Sequence, residues 1–163
     1  MSRQQGQTAM HDIFELCDLV RETGFAIHKY HANGHLEKIY ENALAHRLRK
    51  AGVKVEQQSE LTVRDEDGTV LGEYAADLYI DDQLIVELKA CRTIASEHEA
   101  QMLGYLRASD VEHGLLMNFG APKYQIKKYI WRTSDGSGTH RLATCLPFMG
   151  TIGSLVINKL GIS

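Results

Sequence analysis

The sequence has no excess of basic charge. Its 163 residues carry 18 Lys and Arg against 21 Asp and Glu, a formal net charge of −3. No global attraction to nucleic acid follows from that balance, so any such contact must use local patches. Cysteine is sparse. Cys17, Cys91 and Cys145 form an odd, scattered set, with neither the spacing of a zinc site nor the even count of a disulfide framework. That usage is expected of a reducing cytoplasm. No apolar run approaches the roughly 18 residues that a membrane span requires. Residues 1–10 are polar and lack the apolar core of a secretory signal. No internal repeat is present. What these absences leave is a cytoplasmic globular chain without a membrane segment. Its apolar content of 44% and charged content of 24% are ordinary for one, and its length suits one domain with a sizeable core.

What is present is concentrated between Asp77 and Lys89, in the run Asp-Leu-Tyr-Ile-Asp-Asp-Gln-Leu-Ile-Val-Glu-Leu-Lys. Two apolar runs flank Asp81-Asp82, which predicts a strand, a tight turn and a second strand. Side chains alternate along a strand, so Leu84, Val86 and Leu88 take one face and Ile85, Glu87 and Lys89 the other. Both faces are apolar until Glu87, as expected for a central, buried strand. A carboxylate and an ammonium then emerge together at its C-terminal end, within plausible reach of Asp77 on the neighbouring strand. Buried charges of this kind are paired or bind a metal. Two carboxylates beside a lysine suit a hard cation such as magnesium. A Glu–Lys pair with Asp77 as a turn residue accounts for the same pattern.

The rest of the chain supplies the frame. Residues 1–8 are expected to be disordered. Ile13, Leu16, Cys17, Val20, Ile27 and Tyr30 recur at helical steps up to the stop signal Asn33-Gly34. A second helix is predicted from about His35 to Ala51, with an apolar stripe of Leu36, Ile39, Tyr40, Ala43, Leu44, Leu48 and Ala51. Glu37 shares that face, either as a first-turn acid favoured by the helix dipole or as part of a site. Val53–Arg64 and Thr69–Ile80 read as strands around the turn Asp65-Glu66-Asp67-Gly68, and Gln83–Cys91 as the next. Ser96-Glu97-His98-Glu99 has the form of a capping box opening a third helix, on which Gln101 and Tyr105 lie one turn apart. Glu112–Phe119 and Tyr124–Trp131 read as strands. The second of these interleaves Lys123, Lys127, Lys128 and Arg132 with Tyr124, Tyr129 and Trp131. That pattern fits a nucleic-acid contact or an edge strand guarded by lysines. The folded domain is expected over residues 9–132. Residues 133–163 are expected to be a Gly/Ser-rich linker and an apolar tail, which either packs back on the domain or joins chains into a homo-oligomer.

The resulting order is α-α-β-β-β-α-β-β, an α/β (α+β) arrangement. With Glu37, Asp77, Glu87-Leu88-Lys89, Gln101 and Tyr105 placed on it, the chain resembles the PD-(D/E)XK nuclease superfamily. More closely it resembles the GxxExxY family, whose motif is matched by Gly34-His35-Leu36-Glu37-Lys38-Ile39-Tyr40. The Gln101-x-x-x-Tyr105 pair is similar to that of the RecB-like and lambda-exonuclease-like branches. The resemblance spans roughly Ile13 to Arg132. One departure is Ala76 before Asp77, where the superfamily name expects proline. The resemblance implies a restriction-endonuclease-like core, with a central mixed sheet flanked by helices. It also implies metal-dependent hydrolysis of phosphodiester bonds in DNA, or in RNA. Asp77, Glu87 and the Leu88 carbonyl would bind Mg2+ or Mn2+, and Glu37 would complete the site directly or through water. Lys89 would act on the attacking water, while Gln101 and Tyr105 would orient the ligands and the phosphate. A module that keeps this fold without turnover is the alternative. Crowding of carboxylates around Asp77 leads to the expectation that removing its charge stabilises the metal-free protein.

Overall fold

The computed structural model describes residues 11–132 throughout and residues 141–147 by their backbone. The expected disorder of residues 1–8 lies outside the described residues, as does most of the linker and tail. Helix α1 spans Ile13–His31 and α2 Glu37–Lys50. Strands β1 (Val55–Arg64), β2 (Val70–Ile80) and β3 (Leu84–Lys89) follow, then α3 (Ser96–Ser109), β4 (His113–Asn118), β5 (Gln125–Arg132) and β6 (Arg141–Pro147). Through Arg132 this is the predicted order.

The six strands form one sheet in the order β1-β2-β3-β4-β5-β6. All neighbours are antiparallel except β3 and β4, which run parallel. A parallel pair needs a crossover, and α3 provides it. The mixed sheet divides the core in two. Leu84, Val86 and Leu88 pack with Leu16, Val20, Ile27, Tyr40, Leu44 and Leu48 under α1 and α2. Ile85, on the opposite face of β3, packs with Met102, Tyr105 and Leu106 of α3. β3 is thus buried on both sides, as its unbroken apolar run predicts. The turn between β2 and β3 holds Asp81 and Asp82 at φ 50° and 57°, a region that Asp tolerates better than most residues. Asp81 is held there by the Lys54 N–H at 3.2 Å and by His11. In α1, Gly24 permits a close approach. A Cβ there would sit 2.4 Å from both Met117 Cε and Tyr124 Oη.

Four local readings are corrected. The buried face of α2 is Tyr40, Glu41, Leu44, Ala45 and Leu48. Leu36 and Ile39, read as part of its stripe, are 78% and 45% exposed, and Tyr30 of α1 is 79% exposed. Ser96 does not cap α3. Ala95 stands at that position, and the His98 ring Nδ1 accepts the Ala95 N–H at 3.1 Å. β5 is not an edge strand, because β6 pairs along it. Its lysines are not a free basic stripe either. Lys127 is paired with Glu99, and Lys128 is buried with its ammonium 4.9 Å from the Phe14 ring centre. Trp131 is buried, with the Arg107 guanidinium 5.7 Å from its ring centre. Among the described residues no helix is long and apolar enough to cross a membrane.

Candidate active site

The predicted site residues meet where β3 ends. In an open sheet, the C-terminal ends of parallel strands leave backbone groups and side chains facing a crevice. Glu87 and Lys89 sit on this end of β3, the N-terminal turn of α2 supplies Glu37, and α3 lays Tyr105 against the same face.

Asp77 owes its position to a break in β2. Leu78 and Ile80 enter the core under α1 and α2, whereas Ala76 enters the core under α3. Strict alternation would put Ala76 and Leu78 on one face, so the strand rolls over at Asp77. The ladder to β3 stops there as well, its last pair being Leu78 with Val86. The Asp77 carboxylate takes the place of the next ladder acceptor. Its Oδ2 accepts the Leu88 N–H at 2.8 Å, and its Oδ1 accepts the Gln58 side-chain amide at 3.3 Å.

Glu87 is 3% exposed. Its Oε1 accepts the Lys89 ammonium at 2.8 Å, while its Oε2 is buried with no hydrogen-bond partner among the described residues. Burial first, and the Asp77 charge second, push its carboxyl from 4.5 up to about 7 against the pull of Lys89. Burial also raises Asp77, opposed by the Leu88 N–H and reinforced by Glu41. Burial raises Glu37 too, against the attraction of Lys89. For Lys89, burial acts to lower the pKa. The bond to Glu87 and the charges of Glu87, Glu37 and Asp77 outweigh it, so the ammonium is held more firmly than usual. These mutual effects place Glu37, Asp77, Glu87 and Lys89 in one electrostatic unit.

Tyr105 belongs to the same unit. Burial, then the charges of Glu87 and Asp77, raise its hydroxyl, so it stays protonated. Gln101 donates to Tyr105 Oη at 2.7 Å, which leaves the phenolic hydrogen free to donate. Gln101 itself is exposed and bears on the site through Tyr105.

Three neighbours of the site carry no site motif in the sequence. Glu41, one turn after Glu37, is 2% exposed and bound by Lys38, Gln57 and Gln58. The step of four from Glu37 is a signal that puts both on one helix face. Gln58 links Glu41 to Asp77. Asn118, fully buried in β4, donates to the Cys91 carbonyl at 2.9 Å and accepts the Cys91 N–H at 3.1 Å. It thereby fixes the chain just beyond Lys89. A lone amide at the end of an apolar strand is its sequence signal.

Among the described residues no three His, Cys, Asp or Glu side chains are already gathered at metal-holding spacing. Magnesium, however, is commonly held by only one or two carboxylates, with waters and substrate phosphates completing the shell. Asp77 and Glu87 are two such carboxylates, and the buried Glu87 Oε2 is a hard oxygen with no hydrogen-bond partner among the described residues. The residues present fit the ion.

A family model of the PD-(D/E)XK nuclease superfamily matches residues 14–130. No curated protein matches. A solved structure described as "Crystal structure of SSO0001" aligns with a TM-score of 0.47 and 21% identity, covering 56% of this chain and 48% of that one. The chain thus spans about half the length of that structure. The superfamily match runs from α1 into β5 and covers most of the chain, and on it the chain belongs to the PD-(D/E)XK nuclease superfamily.

Proposed function

We propose that the chain is a nuclease that hydrolyses phosphodiester bonds of DNA, or of RNA, with a divalent metal ion, Mg2+ or Mn2+. Within the superfamily we place it in the GxxExxY family, on Gly34 to Tyr40, and near the RecB-like branch, on Gln101 and Tyr105. Membership of the superfamily carries the expectation of nuclease chemistry and of a divalent metal. The single observation that supports it most in this chain is Glu87: a buried carboxylate with one oxygen on Lys89 and the other without a hydrogen-bond partner among the described residues.

In this reading Asp77, Glu87 and the Leu88 carbonyl hold the ion, with Glu37 reaching it directly or through water. When bound, the ion supplies Lewis acidity toward a phosphate oxygen and acidifies a coordinated water. The chain's own residues do the rest. Lys89 holds the attacking water and offsets negative charge as it grows on the phosphate. Tyr105 donates its free hydrogen toward a carboxylate or a phosphate oxygen, and Gln101 fixes the direction of that hydrogen. Leu88 ties Asp77 to β3, so the ligands move as one piece.

The alternative, a non-catalytic module acting within a larger assembly, is favoured by one observation. Lys127 and Lys128 are engaged within the protein rather than presented to a phosphate backbone. A cleavage assay separates the two readings. Single-stranded, duplex and branched DNA and RNA are incubated with Mg2+, with Mn2+ and with EDTA. Metal-dependent cleavage that disappears in Glu87→Gln supports the nuclease. Binding without cleavage on every substrate supports the module.

A further inference from the structure

We propose that Gln58, held by Glu41, is a positioning residue for Asp77, and that the chain keeps an unfavourable backbone at Gln58 for this purpose. The inference rests on the nuclease reading and names a residue that this reading does not supply.

Gln58 lies within β1, between Gln57 and Ser59, whose partners are Leu78 and Ala76, and therefore opposite Asp77. Its φ is 52°, in the left-handed region that residues with a Cβ avoid. Neither a turn nor a chain reversal requires it, since the ladder continues on both sides. Such outliers persist only where the surroundings enforce them, and they gather at functional sites.

The effect of the outlier is visible in the side chains. Successive residues of a regular strand point to opposite faces. Gln57 and Gln58 instead reach the same carboxylate. Gln57 Nε2 donates to Glu41 Oε1 at 2.9 Å, and Gln58 Nε2 donates to Glu41 Oε2 at 3.0 Å. The left-handed residue turns the second amide inward. Its nitrogen then donates also to Asp77 Oδ1, at 3.3 Å. Both groups facing the nitrogen are carboxylates, so the orientation of the amide is unambiguous: a carbonyl oxygen there would meet only acceptors.

Glu41 is not a spare ligand. Oε1 accepts Lys38 at 2.7 Å and Gln57, and Oε2 accepts Gln58. Its place is to anchor the Gln58 amide. Asp77 in turn receives one bond from Gln58 and one from the Leu88 N–H at 2.8 Å. Two bonds from two directions fix the plane of a carboxylate and leave its remaining lone pairs aimed into the site. Partners that orient metal ligands in this way typically change metal affinity or activity by about 10–100-fold when removed.

Gln58→Gly separates this role from a merely structural one. Glycine accepts a left-handed φ without strain, so the backbone keeps its path while the amide is lost. Melting in EDTA and Mn2+ binding by calorimetry are measured for wild type and variant. The expected result is a melting temperature close to that of wild type, the relief of backbone strain at Gln58 offsetting the lost amide bonds to Glu41 and Asp77, with Mn2+ affinity weaker by about 10–100-fold and cleavage reduced in parallel. Unchanged Mn2+ affinity overturns the proposal. So does a fall in melting temperature large enough to explain the lost affinity. A second measurement needs no variant: the Gln58 side-chain amide protons, followed by NMR in the wild type. They are expected to exchange slowly and to shift along the Mg2+ binding isotherm. Exchange at the rate of a free amide, or indifference to Mg2+, overturns the proposal even where Gln58→Gly does not fold. A wild type that binds no metal and cleaves nothing sinks the nuclease reading and this one together. A wild type that binds and cleaves, beside an equally competent Gln58→Gly, sinks this one alone.

Discussion

Glu87→Gln is expected to stabilise the metal-free protein at pH 8 while abolishing its response to metal. In the wild type, the Glu87 carboxyl rises from 4.5 to about 7, chiefly through burial. A group with a raised pKa in the folded state binds its proton more readily there than in the unfolded chain. Its favourable contribution is therefore complete below pH 4.5 and is lost as pH climbs through 7. The span is worth up to about 3 kcal/mol. Glutamine has the same shape and no charge, so it removes this loss. That span already contains the bond from Lys89 to Glu87 Oε1 at 2.8 Å, because the pull of Lys89 is among the causes that set the carboxyl at about 7. The amide oxygen retains it in a weaker neutral form. Glu87 Oε2 has no partner among the described residues to lose. The balance at pH 8 is a gain of up to about 3 kcal/mol, at about 2–4 °C for each kcal/mol in a chain of this size.

The pH dependence distinguishes this cause from better packing. Wild type in EDTA should melt higher at pH 5 than at pH 8. The variant should change less, and the two should converge at pH 5, where Glu87 is protonated. Manganese at about 100 times its Kd should stabilise wild type at pH 8 by roughly 2.7 kcal/mol. It should do little for the variant, and little for either protein at pH 5. Calorimetric melts at both pH values, with EDTA and with manganese, give every term. A variant that melts below wild type at pH 8, beside a wild type indifferent to manganese, refutes the reasoning.

Lys89→Ala and Lys89→Arg should both lose cleavage while keeping the thermal shift with manganese, because the lysine acts on water and transition state and a planar fork does not replace a compact ammonium; full turnover in either, measured on the best substrate, removes that role. Asp77→Asn should behave unlike Glu87→Gln. Both Asp77 oxygens accept donors, so one donor is left facing an NH2 group, and metal-free melts should report a loss of about 1–2 kcal/mol. Gly120→Ala places a Cβ 2.3 Å from the Ala90 carbonyl carbon and the Cys91 nitrogen. Backbone must move just past Lys89, so denaturant titration should show a loss of about 1–3 kcal/mol or more, accompanied by reduced cleavage.

The order of elements was legible because each helix and strand through Arg132 writes its period into the chain, and Asp81-Asp82 writes its turn. β3 was legible as central because Leu84 to Leu88 is apolar on both faces. Local signals that depend on a neighbour misled. Ser96 has the side chain of a cap, yet His98 closes the end of α3. Lys127 and Lys128 look like edge guards only while β6 and Glu99 are out of view. Leu36 and Ile39 extended the stripe of α2 in sequence, whereas the sheet meets that helix along a face holding Glu41.

The site shows the same division. Glu87 and Lys89 are read from alternation alone, because strand geometry puts residues two apart side by side. Asp77 is placed by the hairpin, but what its carboxylate touches is not. Sequence places carboxylates near one another and so assigns the relief of repulsion to Asp77. The geometry moves that role to Glu87. Asp77 is raised by burial yet accepts two donors, while Glu87 is buried with an oxygen that accepts none. The difference originates at Gln58, where no residue-level pattern announces a left-handed φ in a strand. A glutamine reads as a polar surface residue, and its neighbour Gln57 reads the same. Only the rolled backbone brings both amides onto Glu41, and only then does Asp77 gain its second donor. The second donor to Asp77 depends on one dihedral angle at Gln58, and periodicity carries no information about it.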